Sequence, residues 1–254
     1  MKIQTFEIRK FIIGNEVILY PTLIEINNKK YLIDCGYEET FEEFVVGLIN
    51  LGVEITDLHA ILISHDDIDH LGALTLFKGK NQDLIIYSSS VEEPYVSGKL
   101  KSERLQQAED SLSTLSEEYK TWALQFINQL RRIKRIEVDS VLEDKDKIDN
   151  EIEVIFTPGH TKGHISFYIP SKRTLIANDA IVIEEGRFEI ANPTFTLNLK
   201  QAIQSVEKIK GLAVERVICF HGGVTEDNIS EKLADLINKY KTIPNRVDRP
   251  ATCR

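Results

Sequence analysis

A short apolar run that ends on a cluster of ionisable side chains constrains this chain more than any other part of its sequence. Residues 59–64 read HAILIS, and the next six positions bring His65, Asp67, Asp69 and His70 in the spacing H-x-D-x-D-H. A continuous apolar run of this length predicts an interior strand, so the cluster is expected in a loop at the strand's carboxyl end. The clustered carboxylates would repel one another without a cation, and imidazole with carboxylate suits zinc, iron or manganese. The segment therefore predicts a metal-binding loop.

Other ionisable side chains also stand where predicted strands end or begin. They are His160 and His164 in TPGHTKGH, Asp179 in LIAND, and His221 in VICFHGG. Five of the six histidines fall in such segments, and only His59 does not. Strand ends are where sites lie in layered α/β structures, so these residues are candidates for the same site as the loop.

Composition and charge exclude several classes of protein. The chain has 254 residues, of which 42% are hydrophobic and 28% charged, and this balance supports a globular core. A net charge of −9 argues against a nucleic-acid partner, because phosphates require a basic surface. Three widely spaced cysteines predict no disulfide framework and favour a reducing cytoplasm. We expect no signal peptide and no membrane span, since no apolar run approaches about 18 residues.

Apolar periodicity predicts strands and helices along the chain. The expected strands are 2–9, 17–26, 31–36, 59–64, 83–89, 152–159, 164–170, 173–179 and 216–223. The expected helices are 38–50, 199–210 and 228–241. The segment 242–254 has two prolines and little periodicity, which predicts a tail that is loose or packed late on the surface.

Residues 92–135 differ in character from the rest of the chain. Apolar residues step there at three, four and seven positions, which predicts an amphipathic helix or helical pair with a charged outer face. Two interpretations remain open, a packed surface element and a lid over a site. Tyr95 and Trp122 are candidates for contact with a substrate, although aromatic residues at helical spacing usually serve packing.

Five motifs in order, LIDCG, SHDDIDHLG, TPGHTKGHIS, LIAND and CFHGG, resemble those of the metallo-β-lactamase superfamily. The resemblance covers nearly the whole chain. It implies a single domain over 1–254 with a four-layer α/β/β/α sandwich fold, interrupted by a helical insertion at about 92–135. It also implies a dinuclear metal site at one edge of the sandwich.

Matched position by position, the resemblance implies seven metal ligands and three supporting residues. The ligands are His65, Asp67 and His160 for a first ion, Asp69, His70 and His221 for a second, and Asp179 as a bridge between them. Asp34, Ser64 and His164 match positions that orient the ligands by hydrogen bonds.

Asp67 departs from the commonest form of the family's motif, which has histidine there. A carboxylate is a harder, anionic ligand and shifts preference toward iron or manganese. The cofactors expected are two divalent metal ions, with zinc first and iron or manganese as alternatives. Related branches with a carboxylate at this place include di-iron flavoproteins, but those carry an attached flavin domain for which this chain has no room.

The resemblance implies a metal-dependent hydrolase in which a bridging hydroxide attacks a small ester, lactone, thioester or phosphoester. Asp69 would take part in proton transfer to the leaving group. The partner expected is a small-molecule substrate, and the oligomeric state stays open. Two alternatives remain: an iron-dependent redox or oxygen-handling protein on the same fold, and a non-catalytic metal-binding module.

Overall fold

The computed structural model of the chain describes residues 1–12 and 14–241. Its strands are β1 (Lys2–Thr5), β2 (Ile8–Ile12), β3 (Asn15–Leu19), β4 (Thr22–Ile26), β5 (Lys29–Ile33), β6 (Ala60–Leu62), β7 (Ile85–Ser89), β8 (Ser140–Leu142), β9 (Lys147–Ile148), β10 (Ile152–Phe156), β11 (Ile165–Ile169), β12 (Thr174–Ile176), β13 (Val182–Glu184), β14 (Arg187–Glu189), β15 (Arg216–Cys219) and β16 (Gly223–Thr225). Its α-helices are α1 (Phe41–Asn50), α2 (Ile68–Leu71), α3 (Leu74–Lys80), α4 (Glu93–Val96), α5 (Glu103–Ser111), α6 (Glu117–Arg132), α7 (Leu199–Lys210) and α8 (Ile229–Lys241).

Within the described residues the strands form two six-stranded sheets and two separate hairpins. The first sheet has the order β1-β4-β5-β6-β7-β8, the second has the order β16-β15-β12-β11-β10-β9, and the hairpins are β2-β3 and β13-β14. The pairs β5-β6, β6-β7, β7-β8 and β12-β15 are parallel. Parallel neighbours end at the same edge of a sheet, so the loops that follow β5 and β6, and those that follow β12 and β15, lie side by side.

Side-chain alternation along the strands separates the apolar residues into layers. Ile33 of β5 and Leu62 of β6 pack in one buried cluster with Phe167 and Ile176 of the second sheet. Leu32, the neighbour of Ile33, belongs instead to the cluster on the opposite face of the first sheet. This arrangement follows from the two-residue period of a strand, which sends successive side chains to opposite faces.

Helices cover the two outer faces. Phe44 of α1 and Phe77 of α3 pack on the first sheet, and their rings meet edge to face at 5.9 Å. Val206 of α7 and Leu236 of α8 pack on the second sheet. The order is therefore helix, sheet, sheet, helix, and the predicted four-layer α/β/β/α sandwich is confirmed. None of the helices in the described part of the chain has both the length and the apolar character needed to cross a membrane.

Two of the strand predictions are wrong in extent. The expected strand 17–26 is interrupted at Pro21, which has no N–H group for a strand ladder. At the break the Tyr20 N–H donates to the carbonyl of Phe220 at 2.9 Å. The expected strand 2–9 divides as well. Its first part, β1, pairs with β4, and its second part, β2, pairs with β3, so the break at Pro21 between β3 and β4 is matched by a break between β1 and β2.

The other elements follow the predictions more closely. The expected strands 152–159, 173–179 and 216–223 end earlier, at Phe156, Ile176 and Cys219, because the chain there leaves the sheet and forms loops. The expected helices are present as α1, α7 and α8. Strands β8, β9, β13, β14 and β16 have only two or three residues, too few to show a period in sequence. The predicted tail 242–254 lies outside the described residues.

The segment 92–135 contains three helices, α4, α5 and α6. The Ser102 hydroxyl caps the amino terminus of α5 by accepting the Leu105 N–H at 3.4 Å. Helix α6 buries Ala123, Ile127 and Leu130 on one face, which matches the predicted amphipathic character.

Phe167 tests how far the fold depends on packing between the two sheets. It is fully buried in the layer between them, so Phe167→Ala removes apolar contacts and leaves a cavity. We expect the free energy of unfolding to fall by about 3–5 kcal/mol. Urea denaturation followed by circular dichroism measures this change.

Phe11→Ala is the matched control for that substitution. The Phe11 side chain lies on β2 and is 72% exposed, so its truncation should change the free energy of unfolding by no more than about 0.5 kcal/mol. Equal effects of the two substitutions would contradict the assignment of Phe167 to a sheet-to-sheet core.

Candidate metal centre

The loop after β6 brings four ionisable side chains to one place because the chain turns out of the sheet directly into a helix. His65 lies between β6 and α2, Asp67 precedes α2 with an extended backbone (φ −71°, ψ 149°), and α2 itself carries Asp69 and His70. The change from extended to helical backbone turns the side chains toward one point. A straight strand would divide them between two faces.

His65, Asp67 and His160 form what we call the first ligand group. Asp67 Oδ2 lies 3.5 Å from His65 Nε2 and 3.0 Å from His160 Nε2. The ligand atoms of the three side chains lie within 4.8 Å of one another, and all three residues are buried. Because His160 follows β10 of the second sheet, this group joins the two sheets.

Asp69, His70 and His221 form the second ligand group. Asp69 Oδ2 lies 3.6 Å from His70 Nε2 and 3.1 Å from His221 Nε2. His221 follows β15 and has a side chain that is 31% exposed, whereas His70 is fully buried. The second group therefore also draws on both sheets and lies nearer to solvent.

Asp179, which follows β12, lies between the two groups. Its Oδ1 atom is 3.4 Å from His70 Nε2 and 3.6 Å from His221 Nε2, both in the second group. Its Oδ2 atom is 3.5 Å from His160 Nε2 in the first group. One carboxylate thus presents one oxygen to each group.

Hydrogen bonds on the far side of the imidazole rings aim His65 and His70 into the site. Asp34 accepts the Ser64 N–H at 2.8 Å, the Ser64 hydroxyl at 2.7 Å and the Nδ1–H of His70 at 2.8 Å. Because the Ser64 hydroxyl donates to Asp34, it can only accept from His65 Nδ1, which lies 2.9 Å away. Both rings therefore carry a proton on Nδ1 and turn their Nε2 atoms toward the ligand groups.

The His160 ring is oriented in the same way by a different residue. The Thr196 hydroxyl donates to the Ala191 carbonyl at 2.8 Å, so it accepts from His160 Nδ1 at 3.4 Å. His160 Nε2 is left to face Asp67 and Asp179. His65 and His70, from the segment after β6, and His160, from the loop after β10, consequently all carry a proton on Nδ1.

His164 holds the backbone of Asp179 rather than a ligand atom. A chain of hydrogen bonds fixes its tautomer: the Ser166 hydroxyl donates to the Ala177 carbonyl at 2.9 Å, Thr157 donates to Ser166 at 2.9 Å, and His164 Nδ1 donates to Thr157 at 2.9 Å. His164 Nε2 then accepts the Asp179 N–H at 3.1 Å. Burial, with two other imidazoles nearby, lowers the pKa of His164 well below its usual value, so the ring is neutral.

The atoms that face the centre of the site fit divalent cations. His65 Nε2, His70 Nε2 and Asp179 Oδ1 are buried and have no hydrogen-bond partner among the described residues. Buried polar atoms without a protein partner are rare in folded proteins and are typical of places that hold a water or an ion. Imidazole and carboxylate donors in two converging groups are the ligands that zinc, iron and manganese take.

A cavity of about 360 Å³ opens onto the two ligand groups. Its walls are largely apolar and include Tyr37 from the loop after β5, Phe126 from α6, and Phe195 from the loop before α7. Neither Tyr95 nor Trp122 lines this cavity, and Trp122 instead stacks on Phe126 with ring centroids 5.3 Å apart. The aromatic residues at the site are therefore not the ones suggested by the sequence.

A comparison with known protein families identifies the family of this chain. The family profile described as "Metallo-beta-lactamase superfamily" matches residues 18–221. The chain belongs to the metallo-β-lactamase superfamily. The matched residues include every member of both ligand groups and Asp179, and the resemblance inferred from the five motifs is confirmed.

Curated proteins are similar to this chain in sequence, and a solved structure is similar to it in fold. The "Probable metallo-hydrolase YflN" of Bacillus subtilis is 28% identical to this chain and aligns over 84% of it and 83% of the relative. The "Probable metallo-hydrolase YybB" of the same organism is 21% identical, over 80% of each protein. The metallo-beta-lactamase family protein TTHA1429 of Thermus thermophilus superposes with a TM-score of 0.71 at 19% identity, covering 94% of this chain and 79% of that one. This last likeness concerns the fold alone.

Arg104, near the start of α5, contacts the site and escaped prediction from sequence. Its side chain is 3% exposed, and its Nε and Nη2 atoms donate to the Asp67 carboxylate at 2.8–3.2 Å. Burial alone raises the pKa of Asp67, but Arg104 followed by His160 and His65 holds that pKa well below its usual value. One arginine on an amphipathic helix carries no signal in the sequence that separates it from a surface charge.

Glu92, which immediately precedes α4, ties two loops of this metallo-β-lactamase fold together and also escaped prediction. It is 1% exposed. One oxygen accepts the Asp66 N–H at 3.0 Å, beside the first ligand group, and the other accepts the Gly163 N–H at 2.8 Å, beside His160 and His164. The carboxylate thus fixes the spacing between the loop after β6 and the loop after β10.

Gly159 lets the loop that carries His160 approach helix α7. Its φ of +137° lies in a region that other residues rarely adopt, and a Cβ atom there would lie 2.2 Å from the Ala202 backbone nitrogen. The glycine of TPGH is therefore required by close packing as well as by the turn.

Glu92→Ala tests whether that carboxylate holds the two loops. The substitution leaves two buried N–H groups without an acceptor, and each such group costs about 1–3 kcal/mol. We expect the free energy of unfolding to fall by at least about 2 kcal/mol in urea denaturation.

Glu93→Ala is the control for this prediction. Glu93 pairs with Lys99, which is 55% exposed, at 2.6 Å, so removing it should change the free energy of unfolding by less than about 1 kcal/mol. If both alanine variants were as stable as the wild type, the role of Glu92 as a link between the loops would be refuted.

Proposed function

We propose that the chain is a hydrolase that uses two divalent cations, one in each ligand group, with Asp179 between them. One observation carries the proposal: buried nitrogen and oxygen atoms that could bind a metal, and that have no hydrogen-bond partner among the described residues, come from both sheets and face one point beside a cavity. Membership of the metallo-β-lactamase superfamily and the printed names of its curated relatives, probable metallo-hydrolases, support it.

When bound, two such cations would lower the pKa of a coordinated water and polarise a carbonyl or phosphoryl oxygen of the substrate. The residues of the chain have three tasks in the reaction. The histidines present their Nε2 atoms in a fixed tautomer, Asp179 joins the two groups, and the apolar walls exclude bulk water from the reacting bond.

Asp69 is our candidate for proton transfer to the leaving group. Its side chain is 17% exposed and lines the cavity. Asp67 is less suited because Arg104 binds both of its oxygens, and Asp179 is less suited because its side chain is only 8% exposed between the two groups. Asp69 is the carboxylate most able to exchange a proton with a leaving group in the cavity.

The cavity favours a small, largely apolar substrate. A volume of about 360 Å³ suits a small molecule, and Phe126, Val182, Ile183 and Phe195 offer apolar surface for it. Among the described residues that line the cavity, Arg104 is the only lysine or arginine, and all of its N–H groups are occupied by other residues of the chain. The chain thus adds no free cationic side chain for the charge of a phosphoester, and this favours an uncharged ester, lactone or thioester.

A redox or oxygen-handling iron protein is the second candidate. The carboxylate of Asp67 in the first ligand group favours it, because iron and manganese prefer harder ligands than zinc does. A non-catalytic metal-binding module is less favoured, since every ligand position holds a competent side chain beside an accessible cavity.

Metal content per chain, measured by element-specific mass spectrometry, tests these proposals first. We expect about two zinc or manganese ions per chain, with hydrolysis of members of an ester, lactone and thioester panel. Predominantly iron, with redox-active optical bands, would favour the second candidate. A chain that holds no metal after reconstitution would contradict the proposed function.

Asp179→Ala and His70→Ala should each remove at least one ion per chain and abolish hydrolysis, while circular dichroism shows the fold retained. Both substitutions delete a ligand atom that faces the second group. His59→Ala is the control, since His59 lies away from the site with its ring against Tyr31, and it should keep the wild-type metal content. Unchanged metal content in both site variants would refute the ligand assignment.

A further inference from the structure

Arg104 places a permanent positive charge inside one of the two ligand groups. Its Nη2 atom lies 2.8 Å from Asp67 Oδ2 and 3.3 Å from His160 Nε2, which are two of the three ligand atoms of the first group. A guanidinium stays protonated in proteins, so this charge does not depend on pH.

Contacts on the other side of Arg104 hold the guanidinium in this place. Nη1 donates to Gln107 Oε1 at 2.5 Å and to the carbonyl of Phe195. The Phe195 ring also lies under the guanidinium, with its centroid 5.4 Å from the Arg104 Cζ atom. The position is therefore built from a side chain, a carbonyl and a ring, and does not rest on the carboxylate of Asp67 alone.

The second ligand group contains no such cation. Within the described part of the chain, the ion-pair partners of Asp69 are His70 and His221. An imidazole can lose its proton and then offers a lone pair to a cation, whereas a guanidinium keeps its charge and repels a cation beside a ligand atom. Among the described residues, a permanent positive charge therefore lies at the edge of the first group and not at the edge of the second.

We propose that Arg104 makes the two ligand groups unequal, so that the second group binds a divalent cation tightly and the first binds one weakly, in competition with the guanidinium. A cation in the first group must contact Asp67 and His160, and Arg104 already contacts both atoms. Entry of that cation requires Nη2 to move away from His160 Nε2. This inference rests on the proposed function, because it assigns the order in which the two groups fill.

The inference is tested by measuring zinc binding to the metal-free full chain. Isothermal titration calorimetry and competition with a chromophoric chelator give the affinity of each binding event. The wild type should show two binding events whose affinities differ at least tenfold. Arg104→Met removes the charge and should tighten the weaker event at least tenfold while the tighter event changes less than twofold. Arg104→Gln is the second variant, for use if the methionine variant does not fold. It removes the same charge and keeps an amide that can donate to the Phe195 carbonyl, and it should tighten the weaker event in the same way.

Two single-ligand variants identify the events. His221→Ala should abolish the tight event, and His160→Ala should abolish the weak one. Arg131→Met is the matched control, because Arg131 on α6 pairs with Glu109 on α5 at 2.6 Å and is 57% exposed. It should leave both affinities unchanged, which separates the charge of Arg104 from a general disturbance of the helices.

The inference is overturned if removing Arg104 leaves the weaker event unchanged or weakens it, or if His160→Ala abolishes the tight event. Two equal events in the wild type, with hydrolysis present, would overturn the inference and leave the proposed function standing. A wild type that binds no zinc, manganese or iron would defeat the proposed function itself.

Discussion

The carboxylates of Asp67, Asp69 and Asp179 are held together at one edge of the sandwich, between the ends of the two sheets. Keeping these charges away from water is costly, and this cost constrains the residues around them. Each carboxylate lies within 3.6 Å of at least one imidazole nitrogen. The imidazoles must in turn be held in one tautomer, which explains the row of hydrogen bonds on their far sides. Since the ligands come from both sheets, the sheet-to-sheet packing has to be rigid enough to keep these distances.

The inner part of the site, which consists of the two ligand groups and Asp179, could be predicted from sequence because its residues lie in segments that follow predicted strands. An interior strand has a readable apolar pattern, and its end is well defined by the polar residues that follow. His65, Asp179 and His221 each follow such a run within three residues. The prediction of one strand over 17–26 failed because it followed the apolar residues on both sides of Pro21, although a proline has no N–H group for a strand ladder.

The outer part could not be predicted because it depends on contacts between segments distant in sequence. Arg104 meets Asp67 across 37 positions and Phe195 across 91, and Glu92 meets Gly163 across 71. On an amphipathic helix a buried arginine and an exposed one look alike, as do a buried and an exposed glutamate at a helix start. Only the position of residues 92–135 relative to the strand-end loops distinguishes them.

The distance along the chain between ligands has a consequence for biosynthesis. Asp67 and His160 are 93 positions apart, and Asp69 and His221 are 152 apart. Closing such long loops is entropically unfavourable until other contacts have formed. While the chain is being made, the H-x-D-x-D-H loop appears before the other residues of the two ligand groups. Because His160, Asp179 and His221 follow strands of the second sheet, the proposed site would be complete only after the two sheets dock, and a cation present at that moment would be enclosed as the sandwich closes.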